Sequence, residues 1–182
     1  WEDTGDGVAQ TNLAFDAWGN YNQIIYPENA NGERYQVDYI YDADHHTNVA
    51  RVDDSFGLVG EATYHGPTGQ IASQTDANGQ VTSYTYDAQG RLATLIGPYE
   101  QGTGHATVTY EYFPTAPGYA HAIAHHFDVF NPTDTIDTVR FLDGIGRETQ
   151  TKQDATVFRG TAQAPEDVMV VAGAVEFDAL AR

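Results

Sequence analysis

The chain has 182 residues and a mass of 19.9 kDa, enough for one domain with a hydrophobic core. With 8 basic against 26 acidic residues its formal net charge is −18, so nucleic acid and anionic lipid are poor partners. No cysteine is present, which removes disulfides, thiol nucleophiles and Cys-ligated zinc; an aromatic content of 12% argues against long disorder.

The chain opens on Trp1-Glu2-Asp3-Thr4, without Met or a basic n-region, so no signal peptide is read. It closes on Phe177-Asp178-Ala179-Leu180-Ala181-Arg182, and both ends read as cuts in a longer protein. No stretch approaches the roughly 18–20 apolar residues of a membrane span.

A short pattern then recurs along the chain: an aromatic or β-branched residue, Asp, a few variable residues, Gly, and a polar or basic residue. It first appears as Phe15-Asp16-Ala17-Trp18-Gly19-Asn20 and returns as Val52-Asp53-Asp54-Ser55-Phe56-Gly57. Thr75-Asp76-Ala77-Asn78-Gly79-Gln80 and Tyr86-Asp87-Ala88-Gln89-Gly90-Arg91 follow, then Phe141-Leu142-Asp143-Gly144-Ile145-Gly146-Arg147, and finally residues 177–182 with Ala in the Gly position. With Tyr64-His65-Gly66-Pro67-Thr68-Gly69 included, Gly57, Gly69, Gly79 and Gly90 are spaced 12, 10 and 11 residues apart. That period fits one strand plus one turn. Asp starts the turn by accepting backbone N–H bonds, and Gly closes it where positive φ is needed.

Between these turns the apolar residues alternate, as strands require. Val37, Tyr39 and Tyr41 share a face, as do Thr82, Tyr84 and Tyr86, then Val108, Tyr110 and Tyr112; Val139 with Phe141 and Val175 with Phe177 repeat the pattern. Residues 29–33, 97–104, 113–118 and 130–135 read as loops that interrupt the repeat, punctuated by Pro98, Pro114, Pro117 and Pro132. The best helix candidate, residues 162–171, is broken by Pro165 and followed by a Val-rich run that favours a strand. The expected fold is all-β, an antiparallel meander of short hairpins over residues 1–182, with no linker dividing it.

Few residues invite a chemical reading. In His121-Ala122-Ile123-Ala124-His125-His126, a strand puts His121 and His125 on one face about 13 Å apart, too far for one ion. His45-His46 offers less. Asp3-Thr4-Gly5-Asp6-Gly7 has calcium-loop density without the remaining oxygen ligands, so a solvated turn is the better reading. Asp53 and Asp54, adjacent on a strand, point to opposite faces and form no acid–base dyad. Arg91, Arg147 and Arg182 each follow a turn, and each is expected to pair with a turn Asp or stack on a nearby Tyr or Phe. No catalytic, cofactor or metal residue is assigned, and no enzymatic activity is expected.

Tyr84-Thr85-Tyr86-Asp87-Ala88-Gln89-Gly90-Arg91-Leu92 resembles the hallmark of the Rhs or YD repeat family. The ordered series Gly97-Pro98-Tyr99-Glu100, Tyr110-Glu111-Tyr112-Phe113-Pro114, His126-Phe127-Asp128, Thr135-Ile136-Asp137-Thr138-Val139, Asp143-Gly144-Ile145-Gly146-Arg147, Gln150-Thr151-Lys152 and residues 171–180 is similar to Rhs-containing relatives of the Tc-toxin B component. The resemblance covers most of the chain and is weakest over the first forty or so residues. It implies a strip of a hollow β-sheet shell in a large exported bacterial toxin. Its implied partners are the rest of that shell, the toxic C-terminal segment enclosed in it, and other toxin-complex subunits. The family's self-cleaving aspartyl-protease-like element and its β-propeller are not recognisable, so no cleavage role transfers to any residue. The alternative is a surface adhesive or carbohydrate-binding β-repeat module that uses exposed Tyr and Trp.

Overall fold

The structure, a computed structural model, describes residues 9–157 and 166–177. Residues 3–7, residues 162–165 of the helix candidate, and residues 178–182 of the last repeat copy, Arg182 included, lie outside the described residues. None of the described residues is helical.

The chain forms two compact units, residues 1–83 and 84–182. The first holds β1 (Asn12–Phe15), β2 (Tyr21–Glu28), β3 (Arg34–Tyr41), β4 (Val49–Asp54), β5 (Val59–His65) and β6 (Gln70–Thr75), together with the start of β7 (Val81–Tyr86). The second holds β8 (Leu92–Ile96), β9 (Val108–Phe113), β10 (Ala120–Phe127), β11 (Thr135–Leu142), β12 (Glu148–Val157) and β13 (Glu166–Ala172). Within each unit strand order follows chain order, and every pairing between sequence neighbours is antiparallel. This is the hairpin meander that the alternation predicts. The Val-rich run after Pro165 is strand β13, with Thr151 opposite Ala172 and Val157 opposite Glu166.

In the first unit the two faces of the sheet differ in chemistry. Tyr35, Val37 and Tyr39 lie on one side of β3, with Val37 opposite Ile24 and Tyr39 opposite Val52. Rings join neighbouring strands there: Tyr26 to Tyr35 and Tyr35 to Phe56 at 5.5 Å each, and Tyr21 edge-on to Tyr39 at 5.5 Å. The opposite side is polar. Gln23 and Gln36 both donate to the Asp38 carboxylate at 2.7 Å, Arg51 binds Asp53 at 2.8 Å and Glu61 at 2.7 Å, and Thr63 bonds Ser73 at 2.7 Å.

In the second unit Tyr112 and Tyr110 stand opposite Ala122 and Ala124, whose small side chains leave room for the rings. The other side carries a stacked row across three strands. Phe113 lies 4.7 Å from His121, and His121 lies 5.3 Å from Phe141.

Among the described residues the only buried apolar side chains are Val37 in the first unit and Val108 in the second, each 7% exposed. The described residues of each unit form a single layer of strands, so their apolar side chains are covered by strand neighbours and, among those residues, by no second layer. Phe130, Tyr99, Phe56 and Trp18, all in the connections between strands, stand largely in solvent.

One expectation fails in the second unit. Val175 and Phe177 follow β13 in an irregular segment rather than a strand, because Gly173 at φ 64° turns the chain. The Val175 N–H still reaches the Thr149 carbonyl at 2.8 Å.

Candidate functional site: the hairpin fasteners

Among the described residues six hairpin connections have one geometry. In the copy from Asp76 to Gln80, the Asp76 carboxylate accepts the N–H groups of Asn78 and Gln80 at 2.9 Å each. The Asp76 N–H donates to the Gln80 carbonyl at 3.0 Å, and the Gly79 N–H donates to the Asp76 carbonyl at 2.9 Å. The same four bonds recur at Asp16, Asp54, Asp87 and Asp143. They recur a sixth time at Asn29, whose side-chain oxygen accepts from Asn31 and Glu33. Residues 29–33 are therefore a copy of the repeat and not an interruption of it. Asn supplies the same amide-accepting oxygen without the charge. The glycine of every copy has positive φ, between 76° and 90°.

The turn carboxylates are tuned by these bonds. The backbone N–H of Gln80 holds the Asp76 carboxyl below the usual range, and the N–H of Arg147 does the same for Asp143. Asp42, which starts the longer β3–β4 connection, accepts from Asn48, His45 and Thr47 and is lowered further still.

Two of the copies end in arginine. Arg91 donates from Nε to Asp87 Oδ2 at 2.7 Å while its guanidinium lies 4.4 Å from the centre of the Tyr112 ring on β9. Arg147 donates to Asp143 Oδ2 at 2.7 Å and lies 3.7 Å from the centre of Phe177. Each arginine thus does both of the things its sequence position suggests, and it ties its own turn to a ring from another segment.

A second fastener carries no sequence signal. The Tyr112 hydroxyl donates to the Leu92 carbonyl at 2.8 Å, Tyr64 to Val49 at 2.7 Å, and Tyr41 to Tyr21 at 3.2 Å. In each case a tyrosine toward the end of one strand bonds the first carbonyl of the strand before it. The alternation of tyrosines predicts their face; their target is a backbone oxygen that the sequence does not mark.

The histidines are spread out. His121 and His125 share a face of β10, and His126 lies on the other side opposite Val108 and Ile136. His125 Nδ1 lies 2.8 Å from Asp137 Oδ1, His46 stacks on Trp18 at 3.5 Å, and His45 lies 3.7 Å from Asp42. Asp53 takes Arg51, whereas Asp54 caps its turn, so the two act separately. Among the described residues no group of three or more His, Asp and Glu side chains is placed to hold a metal ion.

Residues 67–99, which contain the turns at Asp76 and Asp87 and the Arg91 fastener, match the model of the RHS repeat. The chain carries an RHS repeat. No curated protein matches it in sequence. Around this RHS repeat the whole strand meander matches solved structures titled TcdB2-TccC3-Cdc42 (TM-score 0.69, 14% identity) and TcdB2-TccC3 without its hypervariable C-terminal region (TM-score 0.70, 14% identity). A third, titled TcdB2-TccC3-TEV, gives a TM-score of 0.69 at 15% identity. At such identities the likeness is one of fold. It covers 94–96% of this chain but 13% of each of those chains, so this chain spans about an eighth of their length.

Proposed function

We propose that the chain is a stretch of wall in an Rhs-type β-shell that encloses a toxic segment within a large exported bacterial toxin. The observation that carries this reading is the single layer. A sheet of hairpins whose only buried apolar side chains, among the described residues, are Val37 and Val108 has no core of its own to complete. Its fasteners act along the sheet, from strand to strand, as a wall requires. The RHS repeat and the fold shared with the TcdB2-TccC3 structures support the same reading.

In this role residues 1–182 are one segment of a longer sheet, and their partners are the neighbouring strands of the parent chain and the segment it surrounds. Function is enclosure: backbone pairing makes the wall, and the Asp and Gly of each turn fix its register. No catalytic step is assigned to this stretch. Its high negative charge keeps a large exported assembly soluble. Single-particle images of the native protein that contains this sequence test the reading. A hollow β-shell with these residues in its wall supports it; a solid or extended particle overturns it.

A further inference from the structure

His125 lies in the middle of three paired strands, opposite Thr109 of β9 and Asp137 of β11. Asp137 Oδ1 accepts from the Thr135 hydroxyl at 2.7 Å and faces His125 Nδ1 at 2.8 Å. A carboxylate only accepts, so Nδ1 carries the proton of that bond. The other ring nitrogen, Nε2, is buried and has no hydrogen-bond partner. The acidic group paired across from it is Glu111 on β9, with Oε1 at 3.9 Å. A buried ring nitrogen without a donor is costly, and water does not reach this one. With a second proton the same nitrogen becomes a donor aimed at the side occupied by Glu111.

We propose that His125 is a proton-dependent fastener: doubly protonated, it bridges Asp137 on β11 and Glu111 on β9 and tightens the β9–β10–β11 pairing. The proposal is independent of what, if anything, the parent encloses. The surroundings are consistent with a bridging cation. The shallow cavity of about 340 Å³ beside the ring is lined by two further titratable groups, His105 and Asp134. On the same face His121 is occupied between Phe113 and Phe141, and Lys152 sits over the Phe141 ring at 5.1 Å. Beyond Asp137, Asp154 of β12 accepts the Asp137 backbone N–H. The sign follows directly: a cation that gains two carboxylate partners in the folded strands stabilises them when protonated, and the contribution is lost as the pH rises.

Amide hydrogen exchange on the full chain tests this. Protection of the β9–β11 amides, normalised to intrinsic rates and to β5–β6 as an internal reference, is expected to rise about two- to fivefold from pH ~7.5 to pH ~5.5. In His125→Gln the rise is lost, and in Glu111→Gln it shrinks. An equal response in wild type and His125→Gln overturns the proposal, since it then reflects general relief of charge repulsion. Ring ¹⁵N shifts of wild-type His125 give a readout that needs no variant. Two protonated nitrogens at pH ~5.5 support the fastener, and an Nε2 that stays a lone pair there sinks it.

Discussion

Arg147 and Asp143 meet at 2.7 Å across a five-residue turn, and Arg91 and Asp87 meet at the same distance in the same frame of an earlier turn. In both pairs the guanidinium also covers an aromatic ring brought from another segment. The arginine therefore reads two things at once: the closure of its own hairpin and the arrival of its neighbour. Lysine supports neither geometry as well, because its charge is a point and its head is not planar.

The Arg147 contact separates experimentally into its parts. Phe177→Leu keeps an apolar side chain and removes the ring beneath the guanidinium, and it is expected to cost about 0.5–1 kcal/mol. In Arg147→Lys the same Phe177 change costs less, and the difference in a double-mutant cycle by urea unfolding is the coupling. Additive costs refute the pairing.

The tyrosine fasteners predict a different split. Tyr112→Phe removes the bond to the Leu92 carbonyl but leaves a ring under Arg91, so about 1 kcal/mol is lost. Tyr112→Leu loses the bond and the ring together and is expected to be the more damaging change. Tyr64→Phe, which removes the bond to the Val49 carbonyl and keeps the ring, resembles the first of these. Thermal unfolding of the three variants ranks them, and a Tyr112→Leu no worse than Tyr112→Phe contradicts the stacking role.

How far the sequence carries this structure depends on where each contact is encoded. The turns at Asp76, Asp87 and Asp143 are legible because acceptor and Gly are fixed three positions apart and both are needed for one local geometry. The copy at Asn29 escapes the pattern, since Asn replaces Asp and the hydrogen bonds alone reveal the equivalence. The His125–Asp137 pair depends on the register of β10 against β11, which the length of the intervening connection sets and no motif announces. Val175 and Phe177 alternate like a strand, yet one glycine with positive φ precedes them and the strand ends at Ala172.

The turn carboxylates predict acid sensitivity. The folded-state pKa values of Asp76 and Asp143 are depressed by the backbone N–H groups they accept. Their contribution is fully present above the ordinary Asp value of about 3.9 and is lost as the pH falls through the folded-state values. The stabilising bonds do not need the charge, as Asn29 demonstrates within the same chain. Asp76→Asn is therefore expected to keep the hairpin and to flatten the loss of stability below pH ~4. Urea midpoints across that range check it; an unchanged acid limb in the variant refutes the assignment. Asp154 works in the opposite sense. Burial and a hydrogen bond that its protonated carboxyl donates to Asp167 raise its pKa, so its contribution is present in acid and fades as the pH climbs.

Two glycines fail for different reasons when replaced. Gly79 has φ 76° and open space where a Cβ would stand, so Gly79→Ala pays only the left-handed backbone penalty of about 1–2 kcal/mol. Gly79→Asn is expected to cost less than Gly79→Ala, because Asn tolerates that region. Gly97 has no such conformational demand. A Cβ there would lie 2.9 Å from Thr107 Oγ1, the same atom that accepts the Gly97 N–H at 2.6 Å and donates to Glu100 at 2.5 Å. Gly97→Ala must displace Thr107 and open that network, whereas Thr107→Ala removes the clash along with the bonds. The double variant is accordingly expected to be no less stable than Thr107→Ala alone. A Gly97→Ala penalty that persists in the Thr107→Ala background, measured by thermal unfolding, shows that the backbone and not the close approach is what requires glycine.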